Sequence, residues 1–163
     1  MKAIVVYESL WGNTEAIAHA IGDGLGSGTR VMSTSEATPE VIKDADFLVV
    51  GSPVMGFSVP NEKMIAGIQV KPGSASVPPD LSQTPMRTWL DALAPGQKPF
   101  AAFETRVKGP WGKATPVIED SMKKLGYRKA SEAQKFIVEG TQGPLKDGEI
   151  ERARQWGAEL SRW

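Results

Sequence analysis

Ser9, Gly12, Asn13 and Thr14 fall within one short turn, directly after an apolar run and directly before a helical pattern. Two hydroxyls and a side-chain amide supply hydrogen-bond donors, and Gly12 lets the main chain come close to a ligand. Where a strand passes straight into a helix, the first-turn N–H groups lack intrahelical partners and the helix dipole favours negative charge, so such a turn can cradle a phosphate. No Lys or Arg lies between Glu8 and Thr14. A phosphate held here would therefore rest on neutral donors and the dipole. The same residue types also make ordinary helix caps, and Ser9 or Asn13 could do no more than that.

The rest of the chain must position this turn. Lys2 to Tyr7 reads as a short apolar strand, and Ile17, Ala20, Ile21 and Leu25 continue as a helix. Thr29 to Ser33 is a second short strand and Pro39 to Lys43 a brief helix. The continuous apolar run Phe47 to Val50 fits a parallel strand covered on both faces. Met86, Trp89, Leu90 and Leu93 recur at helical spacing, and Phe100 to Phe103 gives a fourth strand. Val117, Ile118, Met122 and Leu125 line another helix that Gly126 would end. Lys135 to Glu139 is a fifth strand, and Ile150, Ala153, Trp156, Gly157 and Leu160 mark the last helix. Five βα units in series predict a doubly wound α/β sheet with right-handed crossovers.

Composition narrows the chemistry. At 163 residues, 40% hydrophobic and 23% charged, the chain is expected to form one domain with a sizeable core. Nineteen basic and nineteen acidic residues give no net charge, and no basic stripe invites nucleic acid or an anionic membrane. Without cysteine there is no disulfide, thiolate nucleophile or Cys-ligated metal. The single His19 sits in the first helical pattern and reads as a half-exposed helical residue. No stretch has the length of a membrane span, and the apolar run at the start is too short for a secretory leader, so a cytoplasmic location is expected.

One segment breaks the alternation. Asn61 to Thr84, rich in Pro, Gly and Ser from Lys71 onward, reads as a long connection that serves either as a lid or binding loop or as a surface insertion. Ligands of open α/β sheets lie outside the carboxyl ends of the strands, where strand order reverses. The segments leaving strands one, three and four therefore belong together: Ser9 to Thr14, Ser52 to Pro60 and Glu104 to Lys113.

With these residues assembled, the sequence resembles the flavodoxin family. Ser9-Leu10-Trp11-Gly12-Asn13-Thr14 is similar to the family's hydroxyl-x-x-Gly-Asn-Thr phosphate loop, and Gly51-Ser52-Pro53 is similar to its exit from strand three. The resemblance covers nearly the whole chain. It implies a five-stranded parallel sheet in the order 2-1-3-4-5, with helices on both faces, and non-covalent binding of FMN. Trp11 stands where the family loop usually carries a second hydroxyl, which removes one hydrogen bond.

Carried across by position, Ser9, Asn13 and Thr14 would bind the FMN phosphate with the amides of Leu10, Trp11, Gly12, Asn13 and Thr14. Ser52, Pro53, Val54, Met55, Gly56 and Phe57 would flank one side of the isoalloxazine. Glu104, Thr105, Arg106 and Trp111 would flank the other. Phe57 and Trp111 are the candidate stacking residues, the alternative being local packing or an exposed loop tip. Gly56 would let the peptide beside the ring reorient, or simply serve a tight turn. Arg106, Lys108 and Lys113 would place cations near the ring and favour its reduction.

The resemblance implies an FMN protein acting in electron transfer with a redox partner protein or a small-molecule donor or acceptor. A small FMN-dependent NAD(P)H:quinone or dye reductase and a flavin-free binding module of the same fold stay open as alternatives. Carrier flavodoxins are typically acidic, whereas this chain is neutral. A phospho-receiver is disfavoured because Glu8 stands alone after strand one, without the paired acids that hold Mg²⁺. A hydrolase is disfavoured because the one histidine accompanies no nucleophile motif.

Overall fold

The computed structural model describes residues 1–70 and 78–163. Strands β1 (Ala3–Tyr7), β2 (Arg30–Ser33), β3 (Phe47–Pro53), β4 (Pro99–Val107), β5 (Arg128–Lys129) and β6 (Gln134–Val138) form one parallel sheet. Its order is β2-β1-β3-β4-β5, with β6 also paired to β4. The expected 2-1-3-4-5 arrangement is present. The expected count of five strands is corrected to six, because two short strands share the fifth position.

β5 pairs with Pro99 and Phe100, and β6 pairs farther along β4 with Phe103 to Val107. Between them the chain leaves the ladder at residues 130–133, where Ser131 Oγ accepts the Trp156 indole N–H at 3.4 Å and Glu132 pairs with Lys129 at 3.0 Å. Arg128 and Lys129 carry no apolar alternation, so their sequence gave no strand signal.

Helices α1 (Asn13–Leu25), α2 (Pro39–Lys43), α3 (Glu62–Val70), α4 (Met86–Ala92), α5 (Thr115–Lys124) and α6 (Glu149–Leu160) complete the chain. Alternate strand residues feed two cores, as the pleat requires. Val5, Val49, Ala101 and Phe103 face α1 and α6, meeting Ile17, Ile21, Trp156 and Leu160. Val6, Val50, Phe100 and Ala102 face the other side, meeting Ile42, Trp89, Leu90, Ile118 and Met122. A Cβ on Gly24 would lie 2.0 Å from the Arg154 carbonyl oxygen, and one on Gly157 2.2 Å from that of Ile21. Two glycines thus let α1 and α6 touch backbone to backbone and hold α1 firmly beneath its own N-terminal turn.

Helix α3 occupies the first part of the 61–84 connection. Asn61 Oδ1 accepts the Met64 N–H at 2.9 Å, and the Asn61 carbonyl accepts Ile65 N–H at 3.1 Å, which starts the helix by side-chain capping. Residues 71–77 of the expected connection lie outside the described residues. From 78 to 85 the chain has no helix or strand and runs against the β1–α1 turn.

Candidate functional site

The β1–α1 turn is shaped for an anion. Gly12 is the N-cap of α1, with φ of 91° and no side-chain capping bond. The alternative of Ser9 or Asn13 as a simple cap is therefore not what the turn adopts. Ser9 Oγ instead accepts the Gly12 N–H at 3.1 Å, which leaves its own hydrogen available to a ligand. Among the described residues, the N–H groups of Leu10, Asn13 and Thr14 donate to no protein acceptor. Unpaired amides at a helix start, beside a free hydroxyl hydrogen, match a phosphate group.

Two neighbouring segments brace this turn. Gln83 Oε1 accepts the Ser9 N–H at 2.8 Å, and the Asp80 N–H donates to the Leu10 carbonyl at 2.7 Å. Asp80 is itself fixed by the amide and hydroxyl of Ser82, at 2.9 and 2.6 Å, which hold its carboxyl below the usual range. Thr14 Oγ1 meets Thr105 Oγ1 at 2.7 Å, tying α1 to the end of β4.

Beside the turn lies a solvent-open cleft of about 90 Å³. Ser9, Leu10, Trp11, Asn13 and Thr14 line it from β1–α1, Pro53, Val54 and Met55 from the end of β3, and Thr105 and Arg106 from β4. A second cleft, sharing Val54, Arg106, Val107 and Thr141, continues to Gly56, Phe57 and Trp111. The sequence-predicted loops therefore converge. Phe57 and Trp111 stand at the outer end, 63% and 55% exposed, as flat apolar faces open to a ligand.

The two outer loops are locked together. Met55 and Ser58 exchange N–H···O bonds of 2.8 and 3.1 Å around Gly56 and Phe57, whose φ values of 56° and 66° give a tight hairpin turn. A Cβ on Gly112 would lie 2.3 Å from Phe57 Cα, and Lys113 N–H donates to the Phe57 carbonyl at 3.3 Å. Phe57 is the one non-glycine residue with positive φ among the described residues.

Two predicted flanking residues do not line either stretch of the cleft that runs from Ser9 to Trp111. Ser52 is fully buried and donates its hydroxyl to the Pro53 carbonyl at 2.9 Å. Glu104 turns away and accepts from Ala114 N–H, Thr115 N–H and the Thr115 hydroxyl at 2.9, 2.9 and 3.0 Å. It serves as the N-terminal cap of α5, bridging it to β4. Arg106 is buried, 3.4 Å from Glu104, and also donates to the Gly109 carbonyl. Its charge is thus met by a neighbour and is not the free cation the sequence led one to expect.

Sequence reasoning missed the contribution of the fifth strand position. Val138 and Thr141 line the cleft, and a Cβ on Gly143 would lie 2.7 Å from Asn13 Oδ1. The signal was present, since Gly140-Thr141-Gln142-Gly143 leaves β6 at its carboxyl end, where the ligand rule for open sheets applies. Glu8, just before the turn, is buried with Oε1 accepting the Met86 N–H at 2.7 Å. Burial pushes its carboxyl up to about 8, against the lowering effect of that amide.

Fold and cleft define the class: a flavodoxin-like α/β protein with an open cleft at the switch point between β1 and β3. The flavodoxin family model matches residues 5–156, and the chain belongs to that family of FMN-binding electron-transfer flavoproteins. A flavodoxin from the domain Archaea is 23% identical, with 99% of this chain and 97% of that one covered and a TM-score of 0.69. Oxidised flavodoxin 1 from Bacillus cereus is 19% identical, with 99% and 98% covered and a TM-score of 0.70. Flavodoxin 2 from the same organism is 16% identical over 100% of both chains, with a TM-score of 0.69. At these identities the structural likeness carries the fold alone. No curated protein matches the sequence. No helix among the described residues is long and apolar enough to cross a membrane.

Proposed function

We propose that this chain binds FMN in the cleft between Ser9 and Trp111 and passes electrons between a donor and an acceptor in the cytoplasm. The observation that carries the reading is the phosphate-shaped turn, with its unpaired amides, opening into a cleft that ends between two exposed aromatic faces. Ser9 and Thr14 hydroxyls and the amides of Leu10, Asn13 and Thr14 would hold the phosphate. Phe57 and Trp111 would cover the ring system, and Leu10, Val54 and Val107 would shield it from water. Gly56 leaves the peptide beside the ring able to reorient, with Met64 Sδ 2.7 Å from where a Cβ would sit. When bound, FMN supplies one- and two-electron redox chemistry, while the protein sets the energies of its redox states.

The test is the visible spectrum of the purified protein, followed by chromatography of whatever denaturation releases. FMN is expected in a near one-to-one ratio with the chain. A colourless protein that takes up no added FMN would reject the reading in favour of a flavin-free module. Steady turnover of NADH or NADPH with quinones or dyes would recast the protein as a reductase.

A further inference from the structure

The outer end of the cleft is bordered by a band of cations, of which the lysines form no ion pair among the described residues. One shallow cleft is lined by Arg106, Lys108, Lys113 and Lys135, and a second, sharing Lys113 and Lys135, continues to Lys146 and Arg152. Lys108, Lys113, Lys135 and Lys146 are all exposed, and among the described residues none forms an ion pair. Lys123, Lys124 and Lys129, by contrast, each face a carboxylate. Two acids within the band are sequestered: Glu104 is buried against Arg106 and α5, and Glu149 against Arg152 and the Ile137 amide, with Lys146 also near enough to favour its charge. The exposed acids here are Glu139 within the band and Glu132 and Asp147 at its borders, and Glu132 pairs with Lys129.

A neutral chain has therefore concentrated free positive charge on the face that adjoins Phe57 and Trp111. We propose that this face receives a redox protein through an acidic surface patch on that partner. The inference rests on the electron-transfer reading above and names the partner's chemistry. Exposed aromatics beside a lysine rim reproduce the apolar centre and polar border of a protein interface. Lysines spread over two shallow open clefts steer an extended acidic surface; they do not form the convergent fork that grips one small anion. Opposite charge near the exit point raises the encounter rate and orients the partner.

The test compares wild type with Lys108→Gln/Lys113→Gln/Lys135→Gln/Lys146→Gln, and with the control Lys43→Gln/Lys123→Gln/Lys124→Gln on other surfaces. Photoreduced, flavin-loaded protein is reoxidised in a stopped-flow instrument by anionic ferricyanide or cationic hexaammineruthenium(III). At low salt the four-site variant should lose about tenfold in rate with ferricyanide and gain with the ruthenium complex, the differences fading as salt rises. The control should behave as wild type. A second arm needs no flavin: a fluorescent polyglutamate peptide should bind wild type and control severalfold more tightly than the four-site variant at low salt.

Equal rates and equal peptide binding for wild type and the four-site variant would overturn the proposal, as would an equal loss in the control. Preference for an oligodeoxynucleotide over the acidic peptide would also overturn it, assigning the band to nucleic acid. Flavin content separates the two readings: a loaded protein without charge preference fails this inference alone, whereas an empty protein that still discriminates polyglutamate fails the cofactor reading and, with it, the redox role of the acidic partner.

Discussion

Thr14 and Thr105, ninety-one positions apart, share one hydrogen bond of 2.7 Å between buried hydroxyls. One of them must donate. If Thr105 gives its hydrogen to Thr14, the Thr14 hydrogen is released toward the cleft, and β4 orients a donor that belongs to α1. Thr14→Val and Thr105→Val should then each weaken FMN by roughly 0.5–1.5 kcal/mol. The double variant should lose less than the sum of the two, because both remove one shared arrangement. Flavin fluorescence titrations with FMN and riboflavin measure this, and riboflavin, lacking the phosphate, should barely respond to Thr14→Val. Strict additivity would separate the two hydroxyls.

Glu8 makes stability depend on pH. Its folded carboxyl titrates near 8 against an ordinary value of 4.5, so the folded state binds more protons between those values. Stability from this group is present below about pH 4.5 and is lost as pH rises toward 8. Glu8→Gln keeps an acceptor for the Met86 N–H and removes the ionisation. Thermal or urea unfolding should find the variant near wild type at pH 5 and more stable at pH 8, by up to about 3–5 kcal/mol. A difference that does not change with pH would show that Glu8 is not the titrating group.

Phe57 holds a left-handed backbone that costs a side-chain-bearing residue roughly 1–2 kcal/mol. Phe57→Gly should raise the unfolding midpoint of the flavin-free protein and at the same time weaken both FMN and riboflavin. Opposite signs in the two assays are the signature of a strained residue kept for its ring. A fall in both would mean that Phe57 packs structurally, although it is mostly exposed.

Gln83 supplies the acceptor for the Ser9 N–H. Gln83→Ala leaves that N–H without its partner, at a cost of roughly 1–3 kcal/mol if no water replaces it. Hydrogen exchange read residue by residue should show faster exchange at Ser9, and FMN should weaken more than riboflavin because the loop carrying the phosphate donors loosens. Unchanged exchange at Ser9 would show that the loop holds its shape without the Gln83 side chain.

Much of this arrangement was legible. The Ser9 to Thr14 turn announced itself because strand, glycine and helix follow one another with donors at fixed positions, and the apolar runs Phe47 to Val50 and Phe100 to Phe103 marked strands covered on both faces. Arg128–Lys129 escaped notice because two polar residues at the sheet edge carry no periodicity. Helix α3 was hidden by its Pro- and Gly-rich surroundings, although Asn61 before Glu62 was a readable start signal. The partners of Glu104 and Arg106 were not legible for a different reason: side-chain direction at a strand end is decided by tertiary partners, here the α5 N-terminus and the Gly109 carbonyl.

The bracing of the β1–α1 turn also fixes when the site can exist during biosynthesis. The turn is synthesised before the residues it depends on: its shape draws on Gln83 and Thr105, Thr141 lines the cleft beside it and Gly143 packs against Asn13. A nascent chain halted before β6 would carry the loop without the pocket. Capture of the proposed FMN would then wait for β6 to be in place, and FMN added during refolding should raise the yield of native protein by mass action on the finished fold while leaving the rate of its early steps unchanged.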